Sequence, residues 1–316
     1  DAAVLKPLEV ADSWLGLAVG CGFNPAYGAI DPYAMAVAAV DEAVRNIVAV
    51  GADPTRIAIL DNFCWGNPTL EDRMGGLVRA CKGCYDAALH YGTPFISGKD
   101  SLYNEYTDTV SGRQVSIPPS LLISSLGIVP DVRRTITADW KAAGDALYLL
   151  GETKAELGGS YYLRLQGLVG RSVPGAAASG PATARALHAA GQAGCVRACH
   201  DCSEGGLAVA LAEMALAGRL GAQVNLDAVP AEPSLGAAAR LFSESNGRYL
   251  IEVAPEREPE LLGLLAGVPH ARIGTTCALP EVTFTWGDGS PLFSLSVDAL
   301  LRAWRGHLAP IPGKEA

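Results

Sequence analysis

Asp61-Asn-Phe-Cys-Trp-Gly-Asn-Pro68, read together with Ser97-Gly-Lys-Asp-Ser-Leu-Tyr-Asn-Glu105, decides how this chain folds. Each stretch opens where a β-like apolar run stops, Arg56 to Leu60 in the first case and Pro94 to Ile96 in the second. Between them, roughly from Leu70 to Tyr91, the residues follow a helical pattern. Strand, helix and strand in that order make a crossover unit, in which polar residues at the carboxyl ends of the strands face one crevice. Asp61 and the Gly98–Ser101 loop are therefore expected side by side. An acid that can hold a metal, a glycine that admits backbone N–H groups to an anion, a lysine and a hydroxyl suit a polyphosphate carried with Mg²⁺.

The rest of the chain is consistent with a two-domain protein. It has 316 residues, 49% of them hydrophobic, enough for two ordinary cores. A formal charge of −9 argues against a surface that neutralises nucleic-acid phosphates. No apolar run is long enough to span a bilayer, and no basic stretch precedes an apolar signal core, so a soluble, cytoplasmic protein is expected. Eight cysteines are too sparse for a disulfide scaffold. Cys81-Lys-Gly-Cys84 has redox or zinc spacing but lies in the helical run, where buried thiols are the expectation. Cys195, Cys199, His200 and Cys202 look like a zinc set on paper, yet neighbours on a strand face opposite ways.

Residues 1 to 13 show no strong pattern, and Trp14 to Val19 reads as a strand. Asp31-Pro32 then supplies a helix start, because the carboxylate can cap free N–H groups and proline fits the first turn. Ala36, Val37, Val40, Val44, Ile47 and Val48 form that helix's core stripe. Glu42 and Asn46 share another face, either solvated or turned toward the Asp61 crevice to help hold a cation. Tyr103 to Gln114 reads as a polar hairpin, and the run ending at Val129 as a buried strand. A sheet with helices on one face leaves its other face needing a cover, which points to a partner sheet.

The charged stretch 131 to 144 reads as the crossing into a second domain, which places the boundary between residues 1–135 and 136–316. Asp145 to Leu150 restarts with a strand, and short strands and helices follow without a repeat. His200-Asp-Cys-Ser-Glu-Gly-Gly206 runs into the apolar helix Leu207 to Ala217, so Asp201 and Ser203 meet a helix start, as caps or as ligand contacts. Asp298 to Trp304 closes with a helix, and Pro310 to Ala316 reads as a frayed end.

These motifs resemble one family in an ordered set. Asn24-Pro25, Asp31-Pro-Tyr33, Asp41-Glu-Ala-Val-Arg-Asn-Ile47, the two opening stretches, Ile117-Pro-Pro119, Glu156-Leu-Gly-Gly-Ser160, the His200 to Ala215 run and Phe242-Ser-Glu-Ser245 together resemble the second half of the synthetase subunit of phosphoribosylformylglycinamidine synthases, in the aminoimidazole-ribonucleotide-synthetase superfamily. The resemblance implies a mixed α+β and α/β fold: an N-terminal domain whose sheet carries helices on one face and pairs with a second copy into a barrel, then a C-terminal α/β domain. It also implies an ATP-dependent ligase of de novo purine biosynthesis, in which ammonia derived from glutamine converts formylglycinamide ribonucleotide to its amidine. ATP or ADP and Mg²⁺ are the implied cofactors. The implied partners are a first synthetase half, a glutaminase subunit or domain and, in short-form systems, a small PurS-type subunit.

Carried onto this sequence, the resemblance makes Asp61 and Gly98 nucleotide contacts and Ser101 a substrate contact. Lys99 stands where many short members have a metal-binding asparagine; lysine has no acceptor, so it is assigned to phosphate, with Asp100 as the metal ligand. Glu42, Asn46, Asp201 and Ser203 resemble residues that hold magnesium and a second, structural nucleotide in long members. Glu244 and Ser245 match a substrate grip of the other half and read here as a relic of duplication. The family's histidine-bearing motif belongs to the first half, and no His-x-His occurs in this chain. No catalytic residue is thus assigned here, His90, His188, His200, His270 and His307 are expected to be structural, and the isolated chain is expected to be an inactive homodimer imitating the two-half pairing. The alternatives are a non-catalytic nucleotide-binding dimerisation module of the same superfamily, or an aminoimidazole ribonucleotide synthetase.

Overall fold

Every residue of Ala146–Leu150 is buried, and alternate side chains enter different cores: Tyr148 and Leu150 enter one, Leu147 and Leu149 the other. An apolar run with no polar alternation is what a strand covered on both faces requires. That strand is the middle of a layered molecule, which a computed structural model describes for residues 1–306. The frayed end expected over 310–316 and His307 lie outside the described residues.

The first half of the chain comprises β1 (Ala3–Leu5), β2 (Gly16–Phe23), α1 (Pro25–Gly28), α2 (Pro32–Ala49), β3 (Ile57–Cys64), α3 (Glu71–Tyr91), β4 (Phe95–Ser101), β5 (Glu105–Thr107), β6 (Gln114–Ser116) and β7 (Ser120–Val129). Five of these strands form a sheet in the order β1-β2-β7-β3-β4, and β5 and β6 pair separately as a hairpin. As the sequence predicts, β3, α3 and β4 make a parallel crossover, and Asp31 caps α2 by accepting from Tyr33 N–H at 2.9 Å. The short β1, which carries no readable pattern, pairs antiparallel with β2.

The second half comprises β8 (Ala146–Leu150), α4 (Tyr161–Leu165), α5 (Gly180–Gln192), β9 (Ala198–Asp201), α6 (Gly206–Gly218), β10 (Gly221–Asn225), α7 (Ala237–Phe242), β11 (Tyr249–Val253), α8 (Glu258–Leu264), β12 (His270–Cys277), β13 (Glu281–Trp286), β14 (Ser290–Ser296) and α9 (Val297–Gly306). Its seven-stranded sheet runs β14-β13-β10-β12-β8-β11-β9.

Helix α2 lies between the two sheets, and this corrects the expected solvated face. Asp41, Glu42 and Arg45 are buried along with its apolar residues. The helix sits so close to β2 that a Cβ on Gly22 would come within 2.0 Å of Ala39 O, which only glycine avoids. Among the described residues, no helix lies over the far face of the five-stranded sheet. Val19, Phe23 and Ile96 are exposed there or at its edge, and among the described residues the sheet does not close into a barrel. No described helix is long and apolar enough to cross a membrane.

Candidate functional site

The crevice anticipated from the two opening motifs is built by strand register. Asp61 and Gly98 are direct partners across the parallel β3–β4 pair, followed by Asn62 with Lys99, Phe63 with Asp100 and Cys64 with Ser101. A Cβ on residue 98 would lie 2.3 Å from Asp61 Oδ1, so glycine is what lets the carboxylate lie across the neighbouring strand. Burial raises the Asp61 carboxyl above the usual carboxylate range, and the nearby Asp100 charge adds to this.

The predicted crevice residues do not all share one face. Asp61 has the parity of Ile59 and Phe63, which pack under the helices, and Gly98 and Asp100 follow it. Lys99 and Ser101 take the opposite, open face, where the lysine ammonium donates to Ser101 Oγ. Asn62 has the same parity there, and its Oδ1 is buried with no hydrogen-bond partner among the described residues. An orphaned acceptor beside a lysine and a hydroxyl is the feature that motif reading passed over.

Beyond the strands the two motifs are knitted together. Trp65 N–H donates to Ser101 O at 2.9 Å, Asn104 N–H to Trp65 O at 2.8 Å, and Tyr103 N–H to Gly66 O at 3.3 Å. Glu105, its side chain 1% exposed, pairs with Arg73 and accepts Asn67 N–H at 2.7 Å.

A second constellation lies between the sheets. Arg45, on α2, donates to Asp41 and Asp201, and to Cys202 O at 3.0 Å. Asp41 also accepts from Tyr91 OH and, at 3.0 Å, from Gly247 N–H, so this network ties α2 to the second sheet. Burial works against the Arg45 charge, but Asp41, Asp201 and Glu42 outweigh it and hold the guanidinium well above its ordinary range. Glu42 Oε2 accepts Phe23 N–H at 3.0 Å and Asn24 Nδ2 at 2.6 Å; burial, with Glu204 nearby, pushes its carboxyl up to about 8 against the pull of Arg45. Asn46 Nδ2 donates to Cys21 O at 2.8 Å. Glu42 and Asn46 thus face the end of β2 and the β9 turn instead of the Asp61 crevice.

Two residues join this cluster that sequence reasoning had left out or assigned to packing. Asp1 Oδ1 lies 2.6 Å from His200 Nδ1, Glu213 Oε2 lies 2.8 Å from His200 Nε2, and Asp1, His200 and Asp201 offer ligand atoms within 4.8 Å of one another. His200 is therefore held between carboxylates. Cys199 and Cys202 point into different cores, so the paper zinc set does not assemble, and Cys81 is exposed where a buried thiol was expected. Neither Asp201 nor Ser203 caps α6, whose N-cap is Gly205. Glu244 takes that place: it accepts Gly205 N–H at 2.8 Å, Tyr161 N–H at 3.1 Å and Tyr27 OH at 2.5 Å. Together with Phe23, Asn24, Arg164 and Glu204, Tyr27, Tyr161 and Glu244 line a cavity of about 370 Å³.

Donors of the type a divalent cation takes are present: Glu42 Oε1, Asp201 Oδ1 and Asn46 Oδ1 each lack a hydrogen bond among the described residues, although the Arg45 guanidinium shares the cluster.

Comparison with known proteins places this geometry. The family model for the N-terminal domain of AIR synthase related proteins matches residues 1–129, and that for their C-terminal domain matches 142–287. The chain belongs to the AIR synthase related family. It is PurL-like, 38% identical over 99% of its length to the phosphoribosylformylglycinamidine synthase subunit PurL of Deinococcus radiodurans, of which it covers 42%. The chain thus spans less than half the length of the curated relatives it matches. PurL of T. maritima complexed with FGAR superposes with a TM-score of 0.77 at 21% identity, over 95% of this chain and 47% of that one. The hydrogenase maturation protein HypE in complex with ATP follows at 0.67 and 20% identity, over 94% of this chain and 89% of its own. At these identities the structural likeness shows the fold alone, the mixed α+β arrangement expected from the sequence.

Proposed function

We propose that this chain acts as the second of two tandem halves of an ATP-dependent C–N ligase that makes formylglycinamidine ribonucleotide from formylglycinamide ribonucleotide and glutamine-derived ammonia. One observation carries the reading: the Asp61 carboxylate seated across Gly98 on the paired parallel strands β3 and β4, in a chain 38% identical to a PurL subunit. In this reading Asp61 and Gly98 contact nucleotide, Lys99 neutralises phosphate on the open face, Asp100 is the metal ligand on the other face, and Ser101 contacts substrate. The uncovered face of the five-stranded sheet pairs with its counterpart in a first half, which supplies the catalytic base; alone, the chain pairs with a second copy. T. maritima PurL has been solved with ATP and with ADP, and in a PurLQS assembly, which supports a nucleotide at this fold and further subunits around it. The proposed domain boundary falls between residues 135 and 136.

The buried cluster favours a second role in the same chain. Glu42, Asn46 and Asp201, joined by Asp1 and with Ser203 in the adjacent turn, would hold Mg²⁺ and the phosphates of a structural nucleotide.

The test is to mix the chain with a matching first half, ammonia, ATP and formylglycinamide ribonucleotide. Turnover that Asp61→Ala abolishes is the expected result. Nucleotide-dependent melting without any turnover would replace this reading with a non-catalytic nucleotide-binding module.

A further inference from the structure

Tyr103 adopts φ +70°, the left-handed region, which a bulky side chain rarely occupies. Its side chain gains little from the chain's own packing, being 59% exposed. Such a conformation persists only where surrounding contacts over-determine it. Here they do: Tyr103 N–H donates to Gly66 O at 3.3 Å, Glu105 N–H donates to Tyr103 O at 2.9 Å, and Asn104 on the same turn is bonded to Trp65 O at 2.8 Å. Glu105 anchors the turn from below. Its buried carboxylate pairs with Arg73, accepts Asn67 N–H at 2.7 Å and accepts from Gln114 Nε2. The same carboxylate restricts residue 66, where a Cβ would lie 2.8 Å from Glu105 Oε1. The strain is therefore maintained by a half-buried ion pair around the Glu105 carboxylate, two residues from Ser101, for a ring the fold itself does not use.

We propose that Tyr103 is a specificity-determining residue that lays its ring against a planar conjugated group of the bound ligands, and that Glu105 is the positioning residue holding it there. The proposal rests on the reading of the Asp61–Gly98 crevice given above. Two bound molecules of that reading carry such a group, the purine base of the nucleotide and the planar formamide and amide of the substrate. An aromatic face stacks on either without hydrogen-bond readout.

The test compares Tyr103→Gly, Tyr103→Phe and Glu105→Gln in the assembled two-half enzyme, with KM measured separately for ATP and for the amide substrate. Tyr103→Gly should raise one of the two KM values roughly tenfold, a typical loss for one stacked group, with little change in kcat. The KM that moves identifies which planar group the ring meets. Because glycine relieves the left-handed strain, the same variant should keep or raise the chain's Tm, which a merely structural tyrosine would not do. Tyr103→Phe should recover most of the lost affinity, and Glu105→Gln should shift the same KM as Tyr103→Gly while lowering Tm. Tyr106, 65% exposed on β5 and unstrained, supplies the control, since Tyr106→Ala should leave both KM values alone. Both KM values of Tyr103→Gly within twofold of wild type, or a loss in Tyr103→Phe equal to that in Tyr103→Gly, overturns the proposal. Turnover that survives Asp61→Ala counts against the underlying reading of the crevice, and the Tyr103 KM comparison is still read on its own.

Discussion

The crevice at Asp61 and the cluster at Arg45 use similar residue types under opposite conditions. In the crevice, Gly98, Lys99 and Asp100 lie exposed on β4, the last strand of an open sheet. In the cluster, Asp41, Arg45 and Asp201 are each at most 3% exposed and are walled by both sheets. Exposed charges interact weakly and can wait for a ligand or a partner surface, whereas buried charges must be matched within the chain. The difference teaches that the charges of the first region contribute little to stability, whereas the fold depends on those of the second.

The sharpest way to break this contrast is to remove the buried cation. Arg45→Met leaves Asp41 and Asp201 without their counter-charge inside the protein, and breaking such a pair from one side costs about 3 to 5 kcal/mol. Urea unfolding should show a loss of that order, and a loss under about 1 kcal/mol would mean that water reaches the cluster and the contrast is false.

A comparable effect, reached only across the whole pH window, comes from Glu42. Its carboxyl is raised from 4.5 to about 8, so the folded state holds a proton that the unfolded chain releases. The corresponding stability is fully present below pH 4.5 and is lost as pH rises through about 8. Unfolding free energy should fall by about 1 kcal/mol per pH unit across that window from this group, and Glu42→Gln should flatten the slope. A divalent cation at the cluster displaces the same proton, so Mg²⁺ should raise Tm more at pH about 8.5 than at pH about 6. Equal shifts at both pH values would show that the cation does not bind beside Glu42.

How much of this was legible in the sequence differs between the two regions for a physical reason. The crevice is local: β3, α3 and β4 follow one another, and the Asp61–Gly98 pairing follows from parallel register. What was missed is that Asp61 and Gly98–Ser101 lie inside β3 and β4 and not in loops beyond Leu60 and Ile96, so side-chain alternation divides them between two faces. The cluster is non-local. Arg45 finds Asp201 across 156 positions, so a charge-bearing helix face that looks solvated in isolation becomes interior once the second sheet packs on it. Asp1 was lost in a stretch whose strand is only three residues long. Glu244 accepts the N–H of Gly205 at the start of α6 from 39 positions away, a partner that local motif reading does not supply.

Within the crevice, Gly98→Ala sharpens the contrast further. The added methyl group would meet Asp61 Oδ1 at 2.3 Å, and since a short, half-buried carboxylate can turn aside, the stability cost should be only about 1 kcal/mol. Nucleotide affinity in the assembled enzyme should nevertheless fall at least about tenfold, because the acid no longer lies across the strand. Adding Asp61→Ser should restore stability but not affinity, and a double-mutant cycle with no coupling between 61 and 98 would refute the steric account.

The smallest expected effect is on Lys99, and it tests the contrast from the side of the crevice. Its ammonium is exposed and its bond to Ser101 Oγ joins two groups already near water, so Lys99→Ala should change the chain's unfolding free energy by less than about 0.5 kcal/mol. The same substitution removes the positive charge on the open face beside Ser101, the face proposed to meet a first half. Its consequence should therefore appear only in the assembled enzyme, as a raised KM for ATP that grows less marked at high salt because exposed phosphate contacts are screened. A chain destabilised by Lys99→Ala by more than about 1 kcal/mol would mean that the open face is already closed over in the isolated protein, with Lys99 buried against whatever covers it.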